Sequence, residues 1–106
     1  MATAPQFDSL PRRSTRVATD ILVEVKGEKF AHAGETIVVN LHGGLIRTAA
    51  RLEVGTLITI FVHRTGRSGL ARVVFAPPDD PSHYGVELDQ AENIWGLDPS
   101  PEDWEV

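Results

Sequence analysis

Between Ile21 and Leu88 the chain is cut into short apolar runs by turn residues about 8–12 positions apart, which leaves no room for a long helix. Ile21, Val23 and Val25 alternate with Leu22 and Glu24, the period of a half-buried strand. Lys26-Gly27-Glu28 predicts a hairpin turn, Lys29–His32 a brief return, and Ala33-Gly34 a second break. Thr36–Leu41 predicts a strand with Ile37, Val39 and Leu41 on one face, built of the β-branched residues that suit a pleated surface. His42-Gly43-Gly44 predicts a tight turn in which glycine supplies positive φ, followed by a strand over Leu45–Ala49. Leu57–His63 is nearly continuous apolar and predicts a strand covered on both faces. Leu70–Ala76 and Tyr84–Leu88 complete the set. The Pro77-Pro78-Asp79-Asp80-Pro81 segment between them cannot be strand interior, because proline lacks the ladder donor. Only Ala91–Trp95, ahead of Gly96, suggests a turn of helix. Short strands with no helix between them predict an all-β fold, a six-stranded antiparallel β-barrel.

The chain has 106 residues, of which 42% are hydrophobic and 24% charged, so one globular domain with a real core is expected. Met1–Pro11 is polar and predicts a flexible N-terminal arm over residues 1–11. The barrel is expected over residues 12–97. Residues 98–106 carry Pro99, Pro101 and several acids, and predict an acidic C-terminal tail. Cysteine is absent, which excludes disulfides and thiolate chemistry and fits a reducing cytoplasm. No apolar run reaches the ~20 residues of a membrane span, and the first residues lack the apolar stretch of a secretory signal. The expected location is cytoplasmic, with no membrane partner.

Charge is unevenly placed. Residues 1–78 carry a net +4 and residues 79–106 a net −9. A basic body with an acidic end points to an anionic ligand on the body, or to a solvated tail that screens it.

Catalytic signatures are missing. Gly66-Arg67-Ser68-Gly69 has the wrong spacing for a nucleophile elbow. Gly43-Gly44 lacks the Lys-Ser/Thr of a phosphate loop. His32, His42, His63 and His83 never fall at metal-ligand spacing. The carboxylates crowd the C-terminal end, where burial and pKa tuning are not expected. The sequence therefore predicts neither an enzyme nor a metal site nor a cofactor. Seven aromatics in an acidic chain also argue against single-stranded nucleic acid, whose grooves are basic and aromatic-lined.

Two features suggest binding. Arg12-Arg13-Ser14-Thr15-Arg16 lies just before the first strand. Extended, Arg12 and Arg16 stand about 13 Å apart, and each offers a planar fork suited to phosphate oxygens or the O6/N7 edge of guanine. Asn40-Leu41-His42-Gly43-Gly44-Leu45 places an amide, an imidazole and two glycines between strong strands.

With Tyr84-Gly85-Val86-Glu87-Leu88 near the end, the order of these pieces resembles the PilZ domain, a small bacterial β-barrel that typically binds cyclic di-GMP. The resemblance covers Pro11–Leu97. The family's Arg-x-x-x-Arg is matched at Arg12 and Arg16. Its Asp/Asn-x-Ser-x-x-Gly is matched in part: Asn40 holds the first position, His42 stands where serine is expected, and Leu45 stands where glycine is expected. Gly44 comes one residue early.

The resemblance implies a regulatory module that binds cyclic di-GMP. Arg12 and Arg16 would clamp phosphates and guanine edges from a mobile segment, with Arg13 assisting by charge. Asn40, His42 and Gly44 would form the opposite wall. The altered second motif implies weakened binding or none, so a divergent barrel that contacts a protein partner is the alternative. Its acidic tail, with Trp104, would then be a partner-binding segment, while Trp95 is expected to pack the barrel end.

Overall fold

A computed structural model describes residues 14–104. Seven strands follow one another in the chain: β1 (Val17–Ala18), β2 (Leu22–Lys26), β3 (Ala31–Asn40), β4 (Gly43–Thr48), β5 (Leu57–Val62), β6 (Arg67–Phe75) and β7 (His83–Leu88). A single turn of 3-10 helix, Glu102–Trp104, follows them. The strands β3, β2, β5, β6, β7 and β4 pair in that order, and β4 returns to β3. The expected six-stranded antiparallel barrel therefore closes, which removes the open edges that invite aggregation. The seventh strand, β1, lies on β3 with Val17 opposite Val39 and Ala18 opposite Val38.

Alternation fills the interior. Val23 and Val25 of β2, Ile58, Ile60 and Val62 of β5, and Tyr84, Val86 and Leu88 of β7 are all buried. Trp95 is fully buried, and its indole Nε1–H donates to the Asn40 carbonyl at 2.9 Å. It packs the barrel end, as expected.

Several local expectations are corrected. β5 is not covered on both faces: Leu57 is 63% exposed and the strand alternates strictly. Its outward apolar residues reflect β propensity rather than burial. Ala33-Gly34 does not break β3, which runs through it unbroken. A Cβ on Gly34 would sit 2.9 Å from the Arg47 carbonyl, so glycine serves close strand approach here. Ile37 does not share a face with Val39 and Leu41. A β-bulge between Thr36 and Val38 turns Thr36 inward instead, where its hydroxyl accepts from the Ile21 amide at 2.9 Å.

The hairpin turn between β3 and β4 is Leu41-His42, not His42-Gly43-Gly44. Gly43 and Gly44 belong to β4, and neither has positive φ. Ala91–Trp95 forms no helix. Asn93 organises that segment, its Oδ1 accepting from the amides of Gly96 at 3.0 Å and Leu97 at 3.2 Å.

The expected arm and tail are described only in part. Residues 1–11, read as a flexible arm, lie outside the described residues, as do Arg12 and Arg13. From Ser14 on the chain is anchored: Ser14 is fully buried, and its hydroxyl accepts from the Leu41 amide at 2.9 Å. At the other end Trp104 is buried, only 4% exposed, within the core cluster. The segment after Leu97 is thus held to the barrel at Trp104, because one large apolar ring outweighs the acids around it.

Candidate ligand groove

The register of the barrel wall generates two adjacent rows on its outer face. In one row Val38 of β3 lies opposite Leu45 of β4, Leu45 opposite Gly85 of β7, and Gly85 opposite Phe75 of β6. In the next row Asn40 lies opposite Gly43, Gly43 opposite Glu87, and Glu87 opposite Arg72. Continuing the β1–β3 register by one residue puts Arg16 opposite Asn40. Residues directly opposite share a face, so each row is a line of neighbouring side chains.

Gly43 and Gly85 leave both rows low in the middle. The result is an open groove of about 790 Å³, within the roughly 300–1,000 Å³ of small-molecule clefts. Four of the sequence-predicted residues, Arg16, Asn40, His42 and Gly44, line it together, while Arg12 and Arg13 lie outside the described residues. One side is apolar, with Val38, Leu45, Val74 and Phe75. Phe75 is 55% exposed, because a β-bulge between Val73 and Phe75 turns Val74 and Phe75 outward in succession.

The polar residues are not equally available to a ligand. The Asn40 Oδ1 accepts from the amides of His42 at 2.8 Å and Gly43 at 2.9 Å. That oxygen shapes the turn, leaving the amide NH₂ as the donor Asn40 can offer. Gly43 and Gly44 do not present free backbone donors either. The Gly43 amide is taken by the Asn40 Oδ1, and β4 is paired with β3 on one side and β7 on the other. A Cβ on Gly43 would press into the Val86 carbonyl oxygen, and one on Gly44 would lie 2.7 Å from the Val38 carbonyl. Their smallness is spent on strand packing and on the floor of the groove.

Phe75, Glu87 and Leu45 belong to the groove although the sequence reading did not assign them to it. Glu87 carried a signal, since it sits outward in Tyr84-Gly85-Val86-Glu87-Leu88. Phe75 carried none, because a bulge is invisible to a period-of-two reading.

A second open groove, of about 750 Å³, lies near Arg51, Pro77, Pro81 and His83. There the His83 Nδ1 is 2.6 Å from the Asp80 Oδ1, and the Ser82 hydroxyl reaches Asp80 at 3.4 Å. This cluster closes the proline-rich loop on itself, and Ser82 meets the same ring nitrogen as Asp80, so it has no nucleophile–base geometry. Among the described residues no group of three or more His, Asp and Glu could hold a metal ion, and no helix is long and apolar enough to cross a membrane. No family model matches the chain, and no curated protein matches it in sequence.

Proposed function

We propose that this barrel is a regulatory module that binds cyclic di-GMP in the groove between β1, β3, β4, β7 and β6. The observation that carries this reading is the meeting of Arg16 with Asn40, His42 and Gly44 of a hairpin far from it in sequence, on one groove with an apolar wall. A cyclic dinucleotide is flat at its bases and anionic at its phosphates. The Arg16 guanidinium suits a phosphate or the O6/N7 edge of guanine. Phe75 and Val74 offer a surface for the base faces, and the Glu87 carboxylate is an acceptor for guanine N–H groups. The His42 imidazole stands in for the family's serine as a donor. Affinity is expected below that of a complete motif, because the Asn40 Oδ1 is engaged by the turn and the hairpin is one residue short.

Calorimetric titration with cyclic di-GMP tests the reading. Arg16→Ala is expected to cost about 1.5–3 kcal/mol of binding energy, the range for a hydrogen bond to a charged group. His42→Ser is expected to change affinity less, and binding should weaken as salt rises. No heat from folded wild type at ~100 μM ligand would leave the second reading.

That second reading is a protein-interaction surface at the same place. It is favoured by Val74 and Phe75, which are 46% and 55% exposed beside the apolar row. Aromatic anchors of this kind dominate interface energetics. Phe75→Ala would then abolish partner capture while leaving the fold intact.

A further inference from the structure

We propose that the C-terminal turn, through Asp103 and Trp104, is a latch that positions Arg16 in the groove; its role in ligand binding rests on the reading of the groove given above. Arg16 follows Thr15, and the polar groups of Thr15 are held by the far end of the chain. The Thr15 amide donates to the Asp103 Oδ1 at 3.1 Å, and the Thr15 hydroxyl donates to the Asp103 Oδ2 at 2.9 Å. The Trp104 Nε1–H donates to the Thr15 carbonyl at 2.8 Å.

Consecutive side chains of an extended segment point to opposite sides. Arg16 lines the groove and Thr15 does not. The latch therefore grips the side of the chain away from the ligand site and leaves the guanidinium side to the groove. Other contacts flank it: Val17 packs against the core, and the Thr19 amide donates to the Ile37 carbonyl at 3.0 Å. β1 has only two residues, paired at Val17 and Ala18, and the Ser14 hydroxyl adds its bond to Leu41. Trp104 supplies the fixed end, since it is buried in the core cluster while Thr15 is exposed. A backbone segment held before the ligand arrives does not have to be ordered on binding, and this preorganisation is worth affinity without any new contact. Asp103 and Trp104 are thus positioning residues: neither lines the groove.

The test uses the full chain with Asp103→Ala, Asp103→Asn and Trp104→Phe. Asparagine keeps an acceptor for the Thr15 amide, and phenylalanine keeps the buried ring while deleting its donor. The first readout is tryptic cleavage after Arg16, compared within each protein with cleavage after the exposed Arg51 of the β4–β5 loop. Asp103→Ala should speed cleavage after Arg16 about tenfold, the factor for freeing roughly one residue's backbone, and leave cleavage after Arg51 unchanged. Asp103→Asn should restore most of the protection. Equal acceleration at both sites would mean general loosening and would overturn the latch, as would no change after Arg16.

The second readout is cyclic di-GMP affinity. Asp103→Ala should weaken it about tenfold, and this effect should vanish in an Arg16→Ala background, since the latch acts through Arg16. Binding that is equal in wild type and Asp103→Ala overturns the positioning role. Wild type that binds no cyclic di-GMP overturns the groove reading instead, and the cleavage ratio still decides the latch.

Discussion

Trp104→Ala is expected to lower the stability of the whole barrel, although the residue lies in a segment that composition marks as a solvated tail. The indole is 4% exposed and belongs to the same core cluster as Trp95 and Leu41. Removing a buried tryptophan side chain costs about 3–5 kcal/mol in protein cores. The lower end applies here, because Glu102 and Asp103 beside the ring are exposed and the vacated site can flood with water rather than stay an empty cavity. The hydrogen bond from Nε1 to the Thr15 carbonyl adds little, since that carbonyl can turn to solvent. A loss of about 3 kcal/mol corresponds to a fall in Tm of roughly 12–24 °C for a domain of this size. Thermal unfolding followed by circular dichroism, with urea titration to check that the m-value is unchanged, measures it. Trp104→Phe keeps most of the apolar area and should lose only about 1 kcal/mol. A Tm for Trp104→Ala within about 4 °C of wild type, less than 1 kcal/mol, would refute the docking of this ring and the latch that depends on it.

Gly43→Ala should destabilise the barrel by about 3 kcal/mol, because the added Cβ would press on the Val86 carbonyl and the Glu87 Cα, both backbone. Gly55→Ala should lose about 1–2 kcal/mol, since its φ of +98° is strained for alanine but nothing lies within 4 Å of the added carbon; urea denaturation ranks the two. Trp95→Phe should cost about 1–2 kcal/mol by stranding the part-buried Asn40 carbonyl, and the amide signals of the Leu41-His42 turn should shift with it. The Glu35–Arg47 pair lies directly cross-strand, with side chains 31% and 52% exposed. A double-mutant cycle there should return less than about 1 kcal/mol, because surface pairs are screened.

Particular residues show how much of this was legible beforehand. Val23 and Val25 face inward as their alternation with Leu22 and Glu24 requires, whereas in β5 the unbroken apolar run hid the same alternation of Ile58, Ile60 and Val62. Gly34, Gly43 and Gly44 were legible as special positions but not in kind. Glycine marks a turn or a close backbone approach equally well, and only the position of the neighbouring strand distinguishes them. The bulges at Thr36/Val38 and Val73/Phe75 left no trace in the pattern, yet they turn Thr36 into the core and put Phe75 at the groove.

Local chemistry sufficed for the all-β class and the six strands of the barrel, because period and turn residues are properties of neighbours in the chain. The closure of β4 onto β3, the gathering of Arg16 with Asn40 and Glu87, and the docking of Trp104 beside Thr15 were decided by the tertiary structure alone. Thr15 and Asp103 are 88 positions apart. No periodicity reaches that far; their contact exists because the folded barrel brings the Thr15 segment to the Glu102–Trp104 turn, where burying a single indole outweighs the solvation of the acids beside it.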